Sequence, residues 1–151
     1  MVFEHDYQRF PELTNRQLQD YGYTSPHIQI TEDFPASVVR VHDGDTVTLR
    51  VDFRDFDFPL RLLGIDAPEL GQGGEEARDY LKERVEDHDI MVKIDKNNRV
   101  GKYGRLLGRI IWNGIDMNQE LLWNNLVKPF DQRFEAQLPD LNRDMRPDKW
   151  F

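Results

Sequence analysis

The chain has 151 residues and a formal net charge of −8, from 20 Lys and Arg against 28 Asp and Glu. That length suits one domain with a sizeable core that needs no covalent staples. The absence of cysteine excludes disulfides, thiolate metal sites and cysteine nucleophiles, and the acidic total repels nucleic acid at long range, so a polyanion would have to be met by a local concentration of basic groups.

Residues 1–35, with two basic and six acidic side chains, read as an N-terminal extension. The chain opens Met1-Val2-Phe3-Glu4-His5-Asp6, without the basic run and apolar stretch of a signal peptide. No apolar run approaches the roughly 18 residues of a membrane span. The expected setting is therefore the cytoplasm or the interior of a particle such as a virion, with no membrane partner. Thr14-Asn15-Arg16-Gln17 fits a capping box, which predicts a short helix reaching Tyr21 before Gly22 stops it.

From Ala36 the pattern changes. Ser37 to Val41 reads as a strand ended by the Asp43-Gly44 turn. Val47, Leu49, Val51 and Phe53 then alternate with Thr46, Thr48, Arg50 and Asp52, a period of two that predicts a second strand. Phe58 to Ile65 is a third, apolar enough to be buried on both faces. Glu75 to Asp87 predicts a helix with Ala77, Tyr80, Leu81 and Val85 on one stripe. Ile90–Ile94 and Arg105–Trp112 are two further strands. Asn113-Gly114 is a tight turn, and Asp116 can cap a helix running to about Leu126, with Gln119 at the capping-box position. Three strands, a helix, two strands and a helix give an α+β, mainly β chain laid out as a five-stranded OB-type barrel with two to three helices. The domain is expected at 36–130, followed by a 131–151 tail that ends in Trp150-Phe151, aromatic residues that should dock on this core or on a neighbour.

Three separated stretches carry groups that suit one chemistry. Asp45 stands where the His42-Asp43-Gly44-Asp45-Thr46 turn hands over to a strand; taken alone, Asp-Gly is also an ordinary hairpin turn. Arg61 lies in an otherwise apolar strand, where an unpaired charge is costly, so its partner is either a bound anion or an internal acid, Asp66 or Glu69. Pro68 forces Ala67 to be extended and turns Asp66 and Glu69 out of the ladder. Strict alternation would put Arg61 and Asp66 on opposite faces, and a bulge at Gly64 would correct this. Arg105 follows the glycine-flanked turn Gly101-Lys102-Tyr103-Gly104. Three acids suit a hard cation and a water, while two guanidiniums suit a phosphate. Around them Lys93, Lys96, Arg99, Lys102, Arg105 and Arg109 face only Asp95, a basic stripe that is either a phosphate-facing surface or a solvated hairpin.

With these residues in this order, residues 36–127 closely resemble the staphylococcal-type nuclease (thermonuclease) family, whose domain is an OB barrel. The resemblance implies that Asp45 and Asp66 hold a calcium ion, with the Ala67 carbonyl as a further ligand. It implies Glu69 as general base on the attacking water, and Arg61 and Arg105 as the groups that grip the phosphate. Lys102 and Tyr103 would line the phosphate side of the nucleotide. The implied activity is calcium-dependent endonucleolytic cleavage of DNA or RNA with little sequence preference, leaving 3′-phosphate ends. Where secreted members carry a longer lysine-rich loop, this chain has only Leu70-Gly71-Gln72-Gly73-Gly74. Where they carry base-stacking tyrosines it has Phe130-Asp131-Gln132-Arg133, so stacking falls to Phe130 or is absent. An alternative keeps the barrel as a structural or interaction module of a large assembly such as a virus particle, with the two tails reaching its partners. A non-catalytic OB-fold binder is the third reading, but such binders use aromatic platforms and these strands are mainly aliphatic.

Overall fold

The computed structural model describes residues 10–19 and 28–132, together with residues 3–4, 7 and 23–24. Its elements in chain order are β1 (Phe3–Glu4), α1 (Asn15–Leu18), β2 (Tyr23–Thr24), β3 (Phe34–Asp43), β4 (Thr46–Arg50), β5 (Phe58–Leu62), β6 (Ile65–Asp66) and α2 (Glu75–Val85). There follow β7 (Asp89–Lys93), a 3-10 turn (Lys102–Gly104), β8 (Leu106–Trp112), β9 (Ile115–Asp116), α3 (Met117–Trp123) and β10 (Lys128–Pro129). The expected C-terminal tail lies almost wholly outside the described residues, including Trp150 and Phe151, as does the expected helix end at Tyr21.

Strand order is β5-β4-β3-β7-β8, and β8 returns to β5, so five strands close into the expected OB-type barrel. The ten-residue β3 is long enough to serve two neighbours. Its first half pairs with β7, Phe34 opposite Val92, and its later part pairs with β4, Val41 opposite Val47. Register shifts between Val38 and Arg40 and between Val41 and Asp43 bend it around the core, as bulges do. The closing seam is parallel: Leu60, Arg61 and Leu62 of β5 face Leu106, Leu107 and Gly108 of β8.

Alternation along these strands fills the interior. Val47 and Leu49 of β4, Leu60 and Leu62 of β5, Val92 of β7 and Ile110 of β8 are fully buried, each burial contributing about 1.5–3 kcal/mol. Helix α2 lays Ala77, Leu81 and Val85 on this core, while Tyr80 stays half-buried at its margin. Helix α3 starts where Asp116 accepts a hydrogen bond from the Gln119 N–H at 3.1 Å, and buries Met117 and Leu121. It stops three residues earlier than the sequence predicts. Asn125 adopts φ 57°, and the Asn125 and Leu126 N–H groups bond back to the Leu122 and Leu121 carbonyls, a Schellman end with asparagine in the glycine position. Among the described residues no helix is long and apolar enough to cross a membrane.

Of the N-terminal segment, residues 10–19 and 28–35 are packed onto the barrel. Thr14 forms the predicted capping box with Gln17, and Phe10, Leu13 and Ile30 are buried. Glu12 is fully buried, with its carboxylate 2.6 Å from Arg54 and 3.7 Å from Arg99. Burial pushes the Glu12 carboxyl above its ordinary range, and the two guanidiniums oppose that shift.

Candidate functional site

The candidate residues come from the turn after β3, the end of β5, the β6 segment and the turn before β8, the last lying a few residues back along the β5–β8 seam. The tight turn between β3 and β4 is fixed by its own side chain: Asp43 Oδ1 accepts from the Asp45 N–H at 3.0 Å. Asp45 Oδ1 accepts from the Thr46 hydroxyl at 3.0 Å, and Oδ2 accepts from the Ala67 N–H at 2.7 Å. These bonds aim a nearly buried Asp45 carboxylate at β5, where Arg61 sits opposite Thr46 in the antiparallel register.

Arg61 is 6% exposed, and both terminal nitrogens of its guanidinium have partners. Nη1 donates to the Leu62 carbonyl at 3.2 Å and the Ile65 carbonyl at 2.8 Å, and lies 3.4 Å from Asp45 Oδ2. Nη2 donates to Asp66 Oδ1 at 3.2 Å. Of the two internal acids weighed from sequence, Asp66 is therefore a partner and Glu69 is not, while Asp45, in the turn between β3 and β4, is a second.

The meeting of Arg61 and Asp66 depends on Gly64. No bulge is present; the strand predicted to run from Phe58 to Ile65 instead breaks at Leu63-Gly64, and Gly64 takes φ 81°. A left-handed residue rotates the chain so that Asp66 returns to the Arg61 side, and only glycine does this without strain. Three clamps hold the turn. Gln132, buried, accepts from the Gly64 N–H at 2.6 Å; the Phe130 N–H donates to the Gly64 carbonyl; and Asn118 donates to the Leu63 carbonyl. The Phe130 ring lies 5.9 Å from the Arg61 guanidinium carbon, within cation–π range.

Glu69 stands in a compact turn whose carbonyl accepts from both the Gln72 and Gly74 N–H groups. Its side chain is exposed and forms no hydrogen bond or ion pair among the described residues. Gly74, which caps α2, is packed against this turn: a Cβ there would lie 2.1 Å from the Pro68 carbonyl oxygen and 2.8 Å from the Glu69 carbonyl. Gly74→Ala is therefore expected to destabilise the protein by about 1–3 kcal/mol through overpacking, lowering the melting temperature. An unchanged thermal midpoint would mean that the turn yields freely.

Arg105 is half-buried at the end of the Lys102–Gly104 turn. It has no ion-pair partner among the described residues, and its Nε is buried without a hydrogen bond. Lys102 and Tyr103 are exposed beside it, Tyr103 at 57% and with φ 59°. The basic stripe does not act as one surface. Arg99 is buried against the N-terminal segment and Arg109 pairs with Asp116 at 2.9 Å, so the uncommitted arginine of the stripe is Arg105.

Asp43 is the residue that reading by motif passes over. Its carboxyl is pushed up to about 6 by burial and by the adjacent Asp45 carboxylate, with Arg61 opposing weakly. The available signal was the i, i+2 spacing of two acids in a single tight turn, which forces their carboxylates together. Asp43, Asp45 and Asp66 thus face one guanidinium, an excess of negative charge that suits a divalent cation. The donors are all oxygen, as calcium requires. Among the described residues no three acidic or histidine side chains form a ready-made cage. A calcium site here would need two carboxylates with carbonyl, water and substrate oxygens completing the shell, and Asp45 and Asp66, both paired with Arg61, are the candidate carboxylates.

A sequence profile described as "Staphylococcal nuclease homologue" matches residues 59–141, more than half of the chain. The chain belongs to this staphylococcal nuclease family. Relatives include a micrococcal nuclease of Shigella flexneri, 39% identical over 77 residues, covering 50% of this chain and 41% of the relative. The SPbeta prophage-derived endonuclease YokF of Bacillus subtilis (strain 168) is 32% identical over 96 residues, 59% of this chain and 32% of the relative. Endonuclease YncB of the same organism is 31% identical over 96 residues, 59% of this chain and 44% of the relative. The matches span less than half the length of each of these relatives. Every site residue named from the sequence except Asp45 falls within the matched segment of this staphylococcal nuclease homologue.

Proposed function

We propose that the chain is a calcium-dependent phosphodiesterase that cleaves DNA or RNA internally, with little sequence preference and with 3′-phosphate products. One observation carries this reading. A buried guanidinium, Arg61, is held between Asp45 and Asp66, while Glu69, three residues after Asp66, and Arg105, before the strand that pairs with β5, have no ion-pair partner among the described residues. The Arg105 Nε, buried without a bond, costs stability, so its retention beside an over-acidic arginine site favours chemistry on a bound phosphate. The nuclease and endonuclease names of the relatives support the same reaction class.

Asp45 and Asp66, with the Ala67 carbonyl, would hold the calcium ion, whose contribution when bound is Lewis-acid polarisation of a phosphoryl oxygen. Glu69, exposed and free, takes the proton of the attacking water. Arg61 and Arg105 present planar forks to the phosphate oxygens and stabilise the charge that builds there, a geometry lysine cannot copy. Arg61 is pre-oriented for this by its bonds to the Leu62 and Ile65 carbonyls. Lys102 and Tyr103 line the approach of the nucleotide's phosphate.

The test is a cleavage assay of the purified chain on DNA and RNA oligonucleotides with calcium, with and without chelator. Degradation that requires calcium and stops on chelation is expected. Intact substrates of both kinds at every calcium concentration would overturn the reading.

A further inference from the structure

The N-terminal segment touches the turn that carries Arg105 at several separate points, and a solvated extension would need none of them. The Glu12 N–H donates to the Gly104 carbonyl at 2.9 Å. Arg99, at the root of the same turn, is 3% exposed and directs its guanidinium entirely toward the N-terminal segment. Its Nε donates to the Ile30 carbonyl at 2.8 Å, and its Nη1 donates to the Leu13 carbonyl at 2.9 Å and to Asn15 Oδ1 at 3.0 Å. Glu12 supplies the charge partner at 3.7 Å. Asn15 also donates from Nδ2 to the Lys96 carbonyl at 2.8 Å, and Asp33 accepts from the Ile94 N–H at 2.8 Å.

These contacts bear on Arg105 through the backbone. The Arg99 carbonyl accepts from the Leu107 N–H at 2.7 Å, the Gly101 N–H donates to the Arg105 carbonyl at 2.8 Å, and Val100 bridges Leu106. Residues 99–107 are thus a closed loop with Arg105 on its returning limb. Its tip is costly to hold: Tyr103 and Gly104 are both left-handed, at φ 59° and 68°, and a left-handed tyrosine is strained. A strained tip keeps one conformation only when its surroundings over-determine it, and here the surroundings are Glu12 and the anchored Arg99.

The geometry points to Glu12, Asn15 and Arg99 as positioning residues that fix the Arg105 guanidinium toward the phosphate site, which makes the N-terminal segment part of the catalytic apparatus. This rests on the phosphodiesterase reading. The N-terminal segment does not touch substrate in this scheme; it acts through Gly104 and Arg99. An arginine misplaced by about 1 Å loses on the order of 10²-fold in rate, so a loose tip would be felt in turnover before it is felt in the fold.

The experiment uses the full chain with Arg99→Lys, which keeps the charge beside Glu12 but not the fork, and Asn15→Ala, an exposed substitution that removes two bonds and leaves the buried charges paired. Native-state hydrogen exchange and steady-state cleavage are read on both, each also combined with Arg105→Ala. Expected are exchange at the Gly101 and Arg105 amides faster by roughly 3- to 10-fold, unchanged exchange at the Val47 and Leu60 amides, and a fall in kcat at little-changed KM. That fall should disappear in the Arg105→Ala background, the non-additivity of groups acting through one another. Uniformly faster exchange across the barrel would overturn the proposal, as would an equal drop in kcat with and without Arg105. If the wild-type chain cleaves nothing, the phosphodiesterase reading fails, and the exchange arm decides the coupling of segment to loop without it.

Discussion

Glu69→Gln is expected to cut turnover by roughly two to four orders of magnitude, the contribution of a positioned general base, with the fold intact. The substitution keeps the size of the side chain and removes only its capacity to take a proton. Nothing in the structure resists it, because the Glu69 side chain is exposed and forms no bond among the described residues. What fixes the residue is its backbone, held by the Gln72 and Gly74 N–H groups at 2.9 and 3.1 Å. Melting temperature and calcium affinity should therefore stay at wild-type levels while single-turnover cleavage slows. Wild-type turnover in this variant would remove Glu69 from the role of base.

Arg61→Lys should slow cleavage by about 10²- to 10³-fold, the usual cost of losing one pre-organised donor at a developing charge. The positive charge is conserved, so Asp45 and Asp66 keep a counter-charge and the effect isolates geometry. A lysine ammonium is a point charge on a flexible stem, and it cannot reach the Leu62 and Ile65 carbonyls and Asp66 together as the fork does at 3.2, 2.8 and 3.2 Å. The Leu62 carbonyl keeps its bond from Gln132, but the Ile65 carbonyl loses its donor from Arg61 at a cost of about 1–3 kcal/mol, so the melting temperature should fall as well. Measured at saturating substrate and at a temperature where both proteins are folded, the rate loss should persist. Equal kcat values would show that the fork takes no part in the reaction.

Much of the fold was legible because its signals are local. The capping residues Thr14 and Asp116, the period-two strand at Val47 and Leu49, and the α2 stripe of Ala77, Leu81 and Val85 are all set by residues within a few positions of one another. Gly64 was legible as the place where alternation must break, though not as a left-handed turn rather than a bulge, since both move Asp66 to the same side. What was not legible is tertiary. The hydrogen-bond partners of Arg99 lie 69 to 86 positions away, so a charge run at 93–109 could not reveal that one of its members is turned inward. Asp43 was hidden for the opposite reason: it is so close to Asp45 that it passes for turn chemistry, and only burial exposes the repulsion. The buried amides Asn118 and Gln132, which clamp the Leu63-Gly64 turn, look in the sequence like ordinary polar helix and loop residues.

The parallel seam that shuts the barrel has a consequence of its own. Arg61 faces Leu107 across it, and Arg105 lies two residues before Leu107, immediately ahead of the other strand. The spacing between the two cationic residues is therefore set only while β5 and β8 remain zipped. A brief parting of those two strands, far short of denaturation, would separate one fork from the other. In rising denaturant the chemistry should vanish ahead of the spectroscopic transition, so that loss of cutting reports on breathing at this suture and not on collapse of the whole molecule.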